Sequence, residues 1–155
     1  MNPRRQLGRS EMITGVAGIL LLIGLSAFPW YHVGAIRFLG QTLNTNVNLT
    51  ALQGPGDFFS ILALIVLIAL LAEVAISRLT TVQLPELPVP WAGVELTAGI
   101  AVPVLLVIKI LFHIGSFGWG FYADMVLAIV LAYGLVGASR NRNALSGQPA
   151  ADAAL

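Results

Sequence analysis

Residues 102–115 have the sequence VPVLLVIKILFHIG, and residues 120–134 have the sequence GFYADMVLAIVLAYG. Each run is strongly apolar and carries one formal charge, Lys109 in the first and Asp124 in the second. A helix needs about 20 mainly apolar residues to cross a bilayer, and both runs belong to segments of that length. Residues 92–138 therefore predict two membrane-spanning helices joined by a tight turn.

The two charges are predicted to lie at the same depth in this hairpin. Lys109 precedes Ser116 by seven residues and Asp124 follows Phe117 by seven, which places both about 10 Å below the turn at about 1.5 Å of rise per residue. A lone charge is costly in the bilayer core. We therefore predict a Lys109–Asp124 pair, and favour a structural pair over part of a proton or ion path.

The composition indicates a membrane protein. Of the 155 residues, 57% are hydrophobic and 10% are charged, whereas a soluble domain carries about 25% charged residues. Most of the surface is therefore expected to contact the lipid bilayer. The absence of Cys excludes disulfides, thiolate metal sites and thiol redox chemistry. A net charge of +1 argues against a nucleic-acid partner.

The apolar runs predict an all-α fold in one domain, residues 1–139. It is a four-helix transmembrane bundle with spans at about residues 12–31, 57–76, 92–114 and 119–138. The first run is too long for a signal peptide and lacks a cleavage site after it. Residues 140–155 are small and polar, and predict a disordered cytoplasmic tail.

Residues 32–56 form the longest polar loop, in which Asn44, Asn46 and Asn48 alternate with other residues and predict a short strand or an extended loop. In a four-span arrangement six of the seven arginines lie on one side, and only Arg37 lies on the other. The positive-inside rule then predicts that both termini are cytoplasmic and that this loop is extracytoplasmic.

The polar residues of the third span are predicted to share one helical face, because they recur at steps of three or four residues. The face comprises Glu95, Gly99, Val102, Leu106, Lys109 and His113. A stripe that carries a charge, a His and a Gly is expected to face other helices and not lipid.

Two carboxylates form a further candidate site. Glu73 and Glu95 lie symmetrically about the connector at residues 79–90, which holds three prolines. If they lie close together, they form a proton or cation site, because neighbouring carboxylates favour sharing a proton or a cation. The alternative that we favour is that each side chain reaches the lipid headgroups.

Aromatic and imidazole side chains mark the predicted membrane interfaces: Trp30 and His32 at the end of the first span, Trp91 at the start of the third and His113 at its end. Two His residues are a conceivable haem ligand pair. Ligands of membrane haems usually lie deeper, so no cofactor and no metal is predicted.

The order of these features resembles small four-span membrane proteins of high-GC bacteria. The resemblance rests on Phe28-Pro29-Trp30-Tyr31, on the Asn-rich loop that ends in Gly54-Pro55-Gly56-Asp57, and on a short Arg-containing tail. It covers the layout of residues 12–139. It implies a plasma-membrane location, and it carries over no activity and no functional residues.

The sequence contains no HExxH, no GxSxG and no Gly-rich phosphate loop, so an enzyme is not expected. The leading hypothesis is an accessory or scaffolding subunit that packs against other membrane subunits or against itself. The alternative is a small transporter or channel that uses Lys109, Asp124, Glu73 and Glu95. Water access separates the two, because a transporter needs these charges to line a cavity and a scaffold needs them sealed.

Overall fold

The computed structural model describes residues 8–34, 36–38, 41–43, 47–54, 56–79, 91–112 and 117–146. Four helices account for most of them: α1 (Arg9–Ala27), α2 (Asp57–Leu79), α3 (Trp91–Phe112) and α4 (Trp119–Ser146). All four are long and apolar enough to cross a membrane. The helical fold class is therefore confirmed, and one such helix lies in each of the four predicted segments.

The ends of α1 and α4 differ from the prediction. α1 ends at Ala27 and not near residue 31, because Phe28 precedes a proline and adopts extended backbone (φ −80°, ψ 143°). α4 continues to Ser146, so residues 140–146, predicted to be part of a disordered tail, are helical. No Gly or Pro interrupts the sequence between residues 138 and 147. The rest of the predicted tail lies outside the described residues.

The segment between α1 and α2 contains four strands of three residues: β1 (Tyr31–Val33), β2 (Ile36–Phe38), β3 (Gln41–Leu43) and β4 (Val47–Leu49). β1 pairs antiparallel with β4, and β2 pairs antiparallel with β3. Of the three alternating asparagines, Asn48 lies in β4, whereas Asn44 and Asn46 lie outside the described residues. The loop therefore adds two short two-stranded ladders, one nested inside the other, to the helical bundle.

α1 contacts α4 more extensively than it contacts α2, and the two helices are antiparallel, because Thr14 lies beside Gly134 and Gly24 beside Asp124. Small residues permit the α1–α4 approach: a Cβ atom at Gly134 would lie 2.6 Å from Oγ1 of Thr14. One end of the bundle carries the strands, and we call it the loop end. The opposite end, where α1 begins and α4 finishes, is the terminal end.

The predicted inward face of α3 is confirmed as far as the structure describes it. Its buried residues are Glu95, Gly99, Val102, Leu106 and Lys109. His113, the last member of the predicted stripe, lies outside the described residues. The opposite side of α3 exposes Ile100, Val104 and Val107, so α3 buries its polar face and turns apolar side chains outward.

Candidate functional site

Lys109 lies fully buried in the last turn of α3, at the loop end. Its Nζ donates hydrogen bonds to the carbonyl oxygen of Ala51 at 2.6 Å and to Oγ of Ser60 at 3.1 Å. The rings of Trp30 and Tyr31 flank the ammonium group, with centroids 5.8 and 5.5 Å away. Both contacts are within cation–π range, and the carboxyl end of a helix also favours a cation. Burial raises the pKa of the Tyr31 phenol, which stays neutral beside the ammonium.

Asp124 lies fully buried in the first turns of α4. Its Oδ2 accepts a hydrogen bond of 2.6 Å from Nε1 of Trp30. Its Oδ1 has no hydrogen-bond partner among the described residues. A Cβ atom at Gly24 would overlap the carboxylate. The close approach of α1 to Asp124 therefore requires a residue without a side chain at position 24.

The direct Lys109–Asp124 pair predicted from the sequence is not formed. Among the described residues, the hydrogen bonds of Lys109 go to the chain after β4 and to α2, and that of Asp124 goes to Trp30. Both charges do lie beside one indole: Trp30 donates its N–H to the carboxylate and presents its ring to the ammonium group. The charges are therefore satisfied separately, around a shared aromatic neighbour.

The sequence predicts an interfacial position for Trp30, and in the structure its side chain lies in the protein core with 0% of its surface exposed. Its backbone N–H donates to Leu49 at 2.8 Å, and its carbonyl oxygen accepts from the N–H of Gly118 at 2.7 Å. Its ring packs edge-on against Phe121, with centroids 5.4 Å apart. The signal in the sequence was indirect: a buried Trp needs an acceptor for its N–H, and Asp124 is a carboxylate within an apolar run.

The chain between β4 and α2 is bound to the bundle through Ala51. Its carbonyl oxygen accepts hydrogen bonds from Lys109 and from the hydroxyl of Ser60, the second at 2.5 Å. Two glycines with positive φ, Gly54 at 93° and Gly56 at 72°, lead from this point into α2. Ala51 and Ser60 are both fully buried. The base of the loop is therefore part of the protein core.

Glu73 and Glu95 come together at the terminal end, where both line a cavity of about 200 Å³ between α2 and α3. Glu95 is buried and Glu73 is half-buried. Trp91, predicted to be interfacial, begins α3 and lines the same cavity. Fourteen residues of α3 separate Glu95 from Lys109, which is about 21 Å. The molecule thus has two separate polar sites, one at each end.

The two histidines do not form a described site. His32 is exposed in β1, and a hydrogen bond of 2.7 Å joins its Nδ1 to Oδ1 of Asn48. His113 lies outside the described residues, so the structure gives no geometry for a pair. Within the described part of the chain, no group of three or more His, Asp or Glu side chains is arranged to hold a metal ion.

The four apolar helices and the buried polar cluster at the loop end are compatible with an integral membrane protein. Comparison of the chain with protein-family models, with curated proteins and with solved structures finds no match. The function is therefore inferred from the geometry of the two polar sites.

Proposed function

We propose that this protein is a non-catalytic scaffold of the plasma membrane, an accessory subunit that holds its loop rigidly for binding to a larger membrane complex. The observation that carries the proposal is the complete burial of Lys109 and Asp124. Both charges hydrogen-bond to the chain just outside the helices, at Ala51 and Trp30. Their role in the proposal is to anchor the loop and not to line a path for ions.

The energetics of burial support this role. Burying an ammonium group is costly, and its hydrogen-bond partners help to offset that cost. Ala51 and Tyr31 lie in the segment between α1 and α2, so the charge is fully stabilised only while that segment is in place. Holding a binding loop in one conformation lowers the entropy that is lost when a partner binds.

The proposed topology places both termini in the cytoplasm and the strands outside the cell. Arg9 at the start of α1 and Arg140 near the end of α4 are both exposed, and both lie at the terminal end. The loop end contains the single arginine of the 32–56 loop. The positive-inside rule assigns the more basic end to the cytoplasm.

Labelling of Lys109 tests whether the cluster is sealed, since it is the only lysine in the chain. We expect a water-soluble amine reagent to leave Lys109 unmodified in the native membrane and to modify it after denaturation. An added surface lysine, Gln53→Lys, is the positive control because Gln53 is exposed at the loop end. Labelling of native Lys109 at the rate of the control would reject the scaffold and favour transport.

Co-purification tests the role as a subunit. The variant replaces residues 35–46, which include the paired strands β2 and β3, with a short Gly-Ser turn. We expect the wild-type protein to be recovered with a partner in mild detergent and the variant to lose that partner while it keeps its helical content. Recovery of the wild-type protein alone, or a partner that the variant retains, would contradict the proposal.

The shared cavity of Glu73 and Glu95 supports a second candidate, a small proton or cation transporter. Two carboxylates on one cavity can share a proton or hold a cation. Flux in liposomes that is lost in Glu95→Gln and retained in the matched variant Glu11→Gln would support this candidate. No flux through the wild-type protein would reject it.

A further inference from the structure

An apolar groove on the outside of the bundle lies between α1 and α4, at the terminal end. Its volume is about 470 Å³. The residues that line it include Arg9, Met12, Val16 and Leu20 of α1, with Leu127 and Val130 of α4. Arg9 is the only charged residue among the residues that line it.

We propose that this groove binds one acyl chain of an anionic phospholipid and that Arg9 binds the phosphate of the same lipid. The inference does not depend on the role of the loop. It requires only that the four helices cross a bilayer.

The length of the groove fits one leaflet. Arg9 and Leu20 are eleven residues apart on α1, which corresponds to about 16 Å along the helix. Half of a hydrocarbon core about 30 Å thick is about 15 Å. The groove thus extends from the membrane surface to the middle of the bilayer, which suits a single acyl chain.

The charge at the mouth of the groove fits a phosphate. Arg9 is exposed, and a guanidinium group can donate two parallel hydrogen bonds to phosphate oxygens. A Cβ atom at Gly137 would lie 2.9 Å from Oγ of Ser10, which places the end of α4 beside the first turn of α1. Arg140, exposed on the next turn of α4, adds a second positive charge to this region.

A second groove on the same helix provides an internal comparison. It lies between α1 and α2, has a volume of about 580 Å³ and is also apolar. The charged residue that lines it is Glu11, where the first groove has Arg9. An anionic headgroup is repelled there, so selection for anionic lipid is expected in the α1–α4 groove alone.

Native mass spectrometry of the full-length protein, titrated with phosphatidylglycerol or with phosphatidylcholine of the same acyl chains, tests the headgroup contact. We expect tighter binding of phosphatidylglycerol and an affinity about fivefold lower in Arg9→Gln. Arg140→Gln is the matched control and should have a smaller effect. Unchanged binding in Arg9→Gln, or an equal loss in both variants, would overturn the proposal.

A groove-filling substitution tests the acyl-chain contact. Val130→Trp is expected to weaken the binding of both lipids, because the indole occupies the groove. Ile129→Trp is the control, since Ile129 is 60% exposed and does not line the groove. Both variants are used only if their melting temperatures match the wild-type value. Equal lipid binding by the two variants would overturn the assignment.

Discussion

Trp30 is the residue on which the loop end depends, because it contacts both buried charges. Its N–H satisfies Asp124, its ring covers Lys109, and its backbone joins β4 to the start of α4. A buried carboxylate that loses a donor carries the full cost of its desolvation, about 1–3 kcal/mol or more. The hydrogen bond from the indole N–H to Asp124 is therefore expected to add to the stability that burial of the Trp30 ring provides.

Replacement of Trp30 by Phe is predicted to lower the free energy of unfolding by about 1–3 kcal/mol, since the aromatic ring remains and the donor to Asp124 is lost. Thermal unfolding in detergent measures the effect. Trp119→Phe is the matched control, because Trp119 is 60% exposed. Equal shifts in melting temperature for the two variants would show that the Trp30 hydrogen bond contributes little.

Lys109→Met is predicted to release the base of the loop while the helices stay folded. The substitution keeps the apolar stem and removes the hydrogen bonds to Ala51 and Ser60. Bonds of this kind contribute about 1.5–3 kcal/mol, so amide exchange of the chain around Ala51 should accelerate by about 10- to 100-fold. Ser60→Ala retains the bond from Lys109 to Ala51 and should have a smaller effect. Hydrogen-exchange mass spectrometry would refute the anchor if neither variant changed the exchange.

At the scale of the element, α1 shows how the surroundings of a glycine decide its role. A Cβ atom at Gly24 would overlap Asp124, whereas a Cβ atom at Gly15 would meet nothing within 4 Å. Gly15 thus retains the intrinsic helix penalty of glycine, about 0.5–1 kcal/mol relative to alanine, without a packing benefit in this chain. Replacement of glycine by alanine is therefore expected to have opposite effects on stability at positions 15 and 24.

Gly24→Ala is predicted to destabilise the protein by about 1–3 kcal/mol, because the added methyl group forces α1 away from α4. Gly15→Ala is predicted to stabilise it by up to about 1 kcal/mol. Chemical unfolding followed by circular dichroism measures both. Destabilisation by Gly15→Ala to the same extent would mean that this face of α1 is covered in the native assembly.

At the scale of the molecule, the antiparallel order of the helices brings the start of α1 and the end of α4 to one end of the bundle. The close approaches of Thr14 to Gly134 and of Gly24 to Asp124 establish this order for α1 and α4. The loop end has a core of aromatic rings and buried charges, and the terminal end has exposed arginines and the carboxylate cavity. The two ends are thus chemically different.

Cysteine accessibility tests the proposed orientation, since the chain has no native Cys. In intact cells, a membrane-impermeant thiol reagent is predicted to label Gln53→Cys at the loop end. It should label Gly8→Cys and Arg140→Cys only after the cells are permeabilised. All three positions are exposed in the structure. Labelling of Gly8→Cys in intact cells would reverse the assignment.

The sequence by itself determined the four long apolar helices and the buried face of α3, because hydrophobic length and helical periodicity are local properties. The continuation of α4 to Ser146 is also a local property, because residues 139–146 contain no Gly or Pro. The prediction of a disordered tail was wrong for residues 140–146 because it was based on their polarity.

Only the tertiary structure decided which groups satisfy the buried charges. The contact between Trp30 and Asp124 joins residues 94 positions apart, and that between Lys109 and Ala51 joins residues 58 apart. Equal depth in a hairpin brings two charges to the same level, but it does not specify their rotation about each helix axis or the side chain that packs beside them. Those depend on the packing of the loop onto the bundle, a long-range property that no local pattern contains.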